Sequence, residues 1–221
     1  MVDLITSLSA QDVARNLASV RTSLAQAGVD PDGLEILAAV KYLPAELLPA
    51  LADGGITLAG ENRGQDLVVK AQTPAGRRLH WDFIGTLQSR KVRAILPYVR
   101  YIHSVATDSA LAALGRYGGP DTSILVEVNV AGDPGKTGVA PSHLAEFIKS
   151  SPVKVAGLMT MPPLTDDPER NRIYFRRLRE LAADHGLSEL SMGTSQDFVV
   201  AAQEGATIIR LGSVLFAPTG S

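Results

Sequence analysis

Lys41 closes the run Leu34-Glu35-Ile36-Leu37-Ala38-Ala39-Val40-Lys41. Five consecutive apolar residues, Ile36 to Val40, stand before the charge. Such a run is too short for a membrane span and reads as a strand buried on both faces. Pro44 follows and sets a boundary before a helical stretch. The amine is therefore expected at the C-terminal tip of a buried strand, where a βα loop begins. Held against apolar walls, its charged form loses solvation, its pKa falls and it becomes a nucleophile toward aldehydes. The competing reading is a strand-end lysine that reaches out to water.

Two later segments carry complementary chemistry. Met192-Gly193-Thr194-Ser195 leads from one apolar run into a helix start, and Arg210-Leu211-Gly212-Ser213 leads out of another. Both place small residues and hydroxyls where backbone N–H groups meet a ligand. Unpaired amides at such a turn favour an anion. Alternatively, Gly193 and Gly212 are turn glycines and Ser195 an N-cap. Arg210 brings a permanent cation that suits a phosphate, a carboxylate or a ring nitrogen, or else a salt bridge to an acid such as Glu61. Asn62, after Gly60-Glu61, can hydrogen-bond a phenolic oxygen or cap the next helix.

Other polar residues read more simply. Lys91 is early in a helix and solvated. Lys136 sits among Gly132, Gly135 and Gly138 in a loop that is either a flap or plainly exposed. His80 and Trp81 suit core or rim positions. The four histidines lack metal-ligand spacing, and the absence of cysteine removes thiolate sites, disulfides and a cysteine nucleophile. The charged run from Glu169 to Glu180 reads as a solvated helix face.

These residues need a scaffold that brings them to one end. Periodicity predicts a leading helix over 9–27, with Val13, Leu17, Val20 and Leu24 on its apolar face, Ser9 as N-cap and Gly28 as stop. Eight strands follow, over 34–41, 56–60, 79–85, 99–105, 123–129, 153–157, 190–193 and 206–211. Helices are expected between them at 44–53, 67–72, 86–96, 108–118, 141–150, 168–185 and 196–203. Ile173, Leu178 and Leu181 are the expected apolar face of the long charged helix. Strands alternating with helices imply parallel pairing and right-handed crossovers. Eight such units without a linker predict a closed α/β barrel, a (β/α)8 TIM barrel with an extra N-terminal helix, forming one domain over 1–221. An open doubly wound sheet is the alternative, but no G-x-G-x-x-G follows the first strand. In a barrel of this kind, a ligand site forms at the C-terminal ends of the strands.

Bulk properties exclude other classes. The 221 residues are 45% hydrophobic and 20% charged, the balance of an ordinary folded chain. A net charge of −2 gives no general attraction to nucleic acid or anionic membrane. No apolar stretch approaches the length of a membrane span, and residues 1–6 have no basic leader pattern, so a cytoplasmic protein is expected.

Taken together, the segments resemble the pyridoxal-phosphate homeostasis protein family, single-domain relatives of the barrel half of alanine racemase. The matching segments are Ala39-Val40-Lys41, Gly60-Glu61-Asn62, Phe83-Ile84-Gly85-Thr86-Leu87-Gln88-Ser89-Arg90-Lys91, Asn129 with Lys136-Thr137-Gly138, Gly157-Leu158-Met159-Thr160-Met161-Pro162, Ser191-Met192-Gly193-Thr194-Ser195-Gln196-Asp197 and Arg210-Leu211-Gly212-Ser213. The resemblance implies that Lys41 holds pyridoxal 5'-phosphate as a Schiff base. It implies that Ser195, Gly212 and Ser213 hold the phosphate, Arg210 faces the pyridine nitrogen and Asn62 lies near the ring. Met159 and Met192 are implied to line the pocket. Val40, Arg63-Gly64 and Thr194 depart from the family's usual residues.

A permanent cation beside the pyridine nitrogen opposes its protonation and makes the ring a weaker electron sink. Racemisation also needs a second base, which in the racemase is a tyrosine from a separate domain. Only ten residues follow Leu211, and Tyr42 is expected to point away from Lys41. The reading is thus a monomeric binding protein without robust catalysis, which buffers the cofactor and hands it to apo-enzymes. Two alternatives stay open: a slow amino-acid racemase or lyase on the same lysine, and an unrelated barrel enzyme for sugar phosphates.

Overall fold

The structure is a computed structural model that describes residues 5–218; most of the N-terminal stretch read for a leader lies outside them. Ser9 caps α1 (Ala10–Gln26) by accepting from the Asp12 amide. Then β1 (Glu35–Ala39), α2 (Leu48–Asp53), β2 (Leu58–Glu61), α3 (Gly64–Gln72), β3 (His80–Phe83), α4 (Val92–Ile95), β4 (Tyr101–Val105) and α5 (Asp108–Tyr117) alternate. The second half continues with β5 (Ser123–Glu127), α6 (Leu144–Lys149), β6 (Lys154–Met159), α7 (Arg172–Asp184), β7 (Glu189–Thr194), α8 (Phe198–Gln203), β8 (Ile208–Leu211) and α9 (Ser213–Phe216). All eight strands are parallel, run in sequence order and close through β1 on β8, where Leu37 pairs with Arg210. The expected barrel and its leading helix are both present.

Strand parity sorts the side chains into two layers. Leu37, Leu58, Leu125, Met159 and Ile208 pack inside the barrel. Val40, Ala59, Ile102, Met192 and Ile209 belong to the layer between sheet and helices. Some boundaries move. β6 runs on to Met159, two residues past the expected end. The expected helix over 86–96 is a single 3-10 turn followed by the short α4.

On α7 the apolar face is Phe175, Leu178, Leu181 and Ala182, whereas Ile173 is 67% exposed. Two residues from Phe175 on a helix is about half a turn, so Ile173 turns outward. The arginines of α7 are also not merely solvated. Arg172, Arg176 and Arg179 all reach the buried carboxylate of Glu204. Burial opposes that charge, but the arginines outweigh it and hold the carboxyl below its ordinary range. Among the described residues no helix is long and apolar enough to cross a membrane.

Candidate functional site

A cavity of about 530 Å³ opens at the C-terminal ends of β1, β7 and β8. Lys41, Asn62, Ser195, Arg210, Gly212 and Ser213 all line it. These are residues far apart in sequence, which the closed barrel gathers at one mouth.

Lys41 follows the end of β1 by two residues, and parity from Leu37 and Ala39 carries it over the mouth. It is exposed rather than enclosed by apolar walls, so burial is not what readies its amine. Among the described residues its Nζ has no hydrogen-bond or ion-pair partner and stands 4.7 Å from the centre of the Tyr42 ring. Tyr42 lines the same cavity instead of pointing away. The strand has already ended at Ala39, so alternation no longer governs that position.

The turn that carries Lys41 is fixed from beneath. Lys70, buried on α3, donates to the Val40 carbonyl at 2.7 Å and to Glu61 Oε2 at 2.5 Å. Glu61 Oε1 accepts from the amides of Asn62 and Arg63. One buried ion pair thereby ties the backbone before Lys41 to the backbone of Asn62. Glu61 is thus spent on Lys70 and is no partner for Arg210. Nothing in the local sequence marks Lys70, because its partners lie 9 and 30 residues away. Asn62 Oδ1 is buried in the wall without a hydrogen-bond partner among the described residues, a cost a hydrogen-bond donor on a ligand would relieve.

On the opposite side, Ser195 is not an N-cap of α8, whose N-cap position is Asp197. Its Oγ accepts from the amides of Gly212 (3.1 Å) and Val214 (3.5 Å). Two N–H groups thus converge on one oxygen, the donor arrangement an anionic oxygen needs. Gly193 shapes this turn with φ +90°, and a Cβ there would lie 2.6 Å from Ala201 Cβ. At Gly212 a Cβ would meet only ordinary contacts with Ala39, so the wall there is open.

Arg210 is buried, and no carboxylate lies within ion-pair distance of it among the described residues. Nη1 donates to Ser191 Oγ at 2.5 Å; Nη2 donates to Thr160 O at 3.0 Å and approaches Met161 Sδ. Burial pushes its pKa down to about 10, while Asp197 and Glu127 pull the other way from a distance. It is still a cation at neutral pH, offset only at a distance by Asp197 and Glu127.

The two methionines part company. Met159 lies inside the barrel and lines a neighbouring cavity of about 630 Å³ rather than that of Lys41. Met192 lines neither. Its place on β7 points it into the layer behind the sheet, fully buried against the helices. Met161, two residues past β6, is the methionine in the cavity wall. Lys136 Nζ donates to the Met161 carbonyl, pinning the glycine-bearing loop at the neighbouring cavity. Among the described residues no group of histidines and acids could hold a metal ion.

Beneath Arg210 the barrel holds a second polar set. His103 bonds Ser191 Oγ through Nδ1 (2.9 Å) and Asp82 Oδ2 through Nε2 (3.0 Å), and Arg100 grips Asp82 with Nε and Nη2. Burial lowers the His103 pKa, against the pull of Asp82. Burial raises that of Asp82, but His103 and Arg100 outweigh it and hold the carboxyl below its ordinary range. Both groups therefore bind protons more readily in the unfolded chain, and stability falls on acidification. The His103 contribution is complete above the unfolded value of 6.5 and is lost as pH falls below it; that of Asp82 is lost below 3.8. Unfolding free energies from urea titrations should fall by up to about 1.4 kcal/mol per pH unit from His103 as pH drops below 6.5 toward 5, and the slope should flatten in His103→Gln. An unchanged slope in the variant contradicts this.

An alanine racemase N-terminal domain model matches residues 9–219, and the chain belongs to that family. Within it, the chain is 36% identical to the pyridoxal phosphate homeostasis proteins of Aquifex aeolicus and Pseudomonas aeruginosa. Each comparison covers 92% or more of this chain and 95% of the relative. Among solved structures, PipY of Synechococcus elongatus with PLP bound superposes with a TM-score of 0.78 at 30% identity, over 93% of this chain and all of that one. The alanine racemase of Corynebacterium glutamicum shares the fold, with a TM-score of 0.74 at 17% identity over 62% of its length.

Proposed function

We propose that the protein binds pyridoxal 5'-phosphate in the Lys41 cavity and serves the homeostasis of that cofactor. The carrying observation is one cavity that brings together an amine, a converging amide pair, a buried guanidinium and a carboxamide oxygen, of which the amine and the carboxamide oxygen have no hydrogen-bond partner and the guanidinium no ion-pair partner among the described residues. That set is complementary to an aldehyde, a phosphate, a ring nitrogen and a phenolic oxygen. When bound, the cofactor supplies an aldehyde carbon and an electron-accepting ring. Lys41 is the amine that joins the aldehyde. Ser195, Gly212 and Ser213 hold the phosphate, with the Ser195 hydroxyl at present occupying the amides a phosphate oxygen would use. Arg210 offers N–H groups to the ring nitrogen and opposes its protonation. Asn62 meets the ring's polar edge. Met159 contributes indirectly, as the inner floor beside the cavity.

Arg210 as a cation favours holding over catalysis, since it leaves the ring a weak electron sink. We accordingly read the protein as a monomeric cytoplasmic carrier that delivers the cofactor to apo-enzymes, with racemase or lyase chemistry as the second reading. Exchange of amino-acid α-protons in deuterated water separates the two. The carrier reading predicts exchange far below about 1 per second. Exchange at that rate or faster, lost in Lys41→Ala, would establish the enzyme.

A further inference from the structure

Asp82, His103 and Ser191 are all fully or almost fully buried, and the cofactor reading gives them no task. Their order of bonding is that of a serine–histidine–aspartate triad. Nucleophilic catalysis is ruled out by position: Ser191 is fully buried, lines neither cavity, and its oxygen already accepts from Arg210.

The hydrogens in this chain can run only one way. Asp82 is an anion held by Arg100, so it accepts from His103 and fixes the proton on Nε2. Nδ1 is then a bare lone pair and accepts the Ser191 hydroxyl hydrogen. Ser191 is left with lone pairs alone to offer Arg210, which donates to it. At the far end, Arg100 also pairs with Glu35 at the start of β1, anchoring the chain at the opposite rim of the barrel. The line thus crosses the interior from β3 through β4 and β7 to β8, and every link is set by the one before.

We propose that Asp82, His103 and Ser191 are positioning residues that hold the Arg210 guanidinium in the orientation from which it meets the ring nitrogen of the bound cofactor. Without Ser191 as an acceptor, Nη1 loses one of the fixed points that keep a buried cation from turning toward Asp197 or Glu127. The aim of the donor, rather than the presence of the charge, is what the chain supplies. This rests on the cofactor reading and deepens it.

The test compares two ligands by equilibrium dialysis: pyridoxal 5'-phosphate and its analogue with CH in place of the ring nitrogen. The wild-type protein should prefer the natural ligand. Ser191→Ala should bind pyridoxal 5'-phosphate about 10-fold more weakly, the size of one hydrogen bond to a charged group, and the analogue almost as before. Asp82→Asn, which keeps the shape but no longer fixes the His103 tautomer, should act in the same direction. It also serves if Ser191→Ala fails to melt cooperatively. Equal losses for both ligands, or no loss for either, would overturn the proposal by reducing the chain to a structural role or to none. A wild-type protein that binds both ligands equally would overturn it too. If the wild-type protein binds neither ligand, the cofactor reading itself falls, and the proposal with it.

Discussion

Lys41→Ala incubated with pyridoxal 5'-phosphate is expected to lose the absorbance band at about 420 nm that marks the lysine-linked cofactor, while keeping the wild-type melting temperature without ligand. The side chain is exposed and its amine is bonded to nothing among the described residues, so truncation removes chemistry and almost no stability. Such a surface change should stay within about 0.5 kcal/mol. The proposed phosphate grip around Ser195 and Gly212 and the Arg210 cation are untouched. The variant should therefore still be stabilised by the cofactor, at higher concentration than the wild type needs. Occupancy at 100 times Kd would contribute about 2.7 kcal/mol in either protein. A wild-type protein without a cofactor-dependent shift would contradict the site; a variant that keeps the absorbance would move the covalent link to another lysine.

Lys70→Met should be the most destabilising single change in the neighbourhood of the site. The Lys70–Glu61 pair is buried on both sides, with side-chain exposures of 7% and 0%. Removing the ammonium leaves a carboxylate stranded in the core, which costs about 3 to 5 kcal/mol. Folded proteins are stable by only about 5 to 15 kcal/mol, so the urea midpoint should drop steeply. Cofactor affinity should fall as well, because the Val40 carbonyl before Lys41 and the backbone of Asn62 lose their shared anchor. Lys70→Met with Glu61→Gln should recover most of the stability, since glutamine keeps an acceptor for the Asn62 amide without a charge to strand. A loss below about 1 kcal/mol in the single variant would show that the pair is not what holds this corner.

The barrel was legible because each strand is a short apolar run closed by a polar or glycine-bearing turn, and such local patterns survive in the fold. The mouth residues were legible for the same reason: Lys41, Asn62 and Ser195 follow the ends of their strands, and Arg210 stands one residue before the end of β8. What the sequence hides is set by partners distant along the chain. Lys70 reads as an ordinary helical lysine until Glu61 and the Val40 carbonyl close on it. His103 and Ser191, 88 residues apart, show no pattern linking them. Exposure was misjudged at Lys41 because an apolar run predicts the burial of the strand, not of the residue just beyond it. Met192 faces the helices rather than the cavity, which Met161 lines, for a similar reason: whether a residue faces the mouth depends on strand parity and on where β6 and β7 end, which a run of apolar letters does not record.

The most direct measurement is borohydride reduction of the cofactor-loaded protein, followed by intact mass and peptide mapping. The account predicts one added reduced pyridoxyl phosphate, carried by Lys41. Modification mapped instead to Lys136 in the neighbouring cavity, or scattered over Lys91, Lys149 and Lys154, would contradict it.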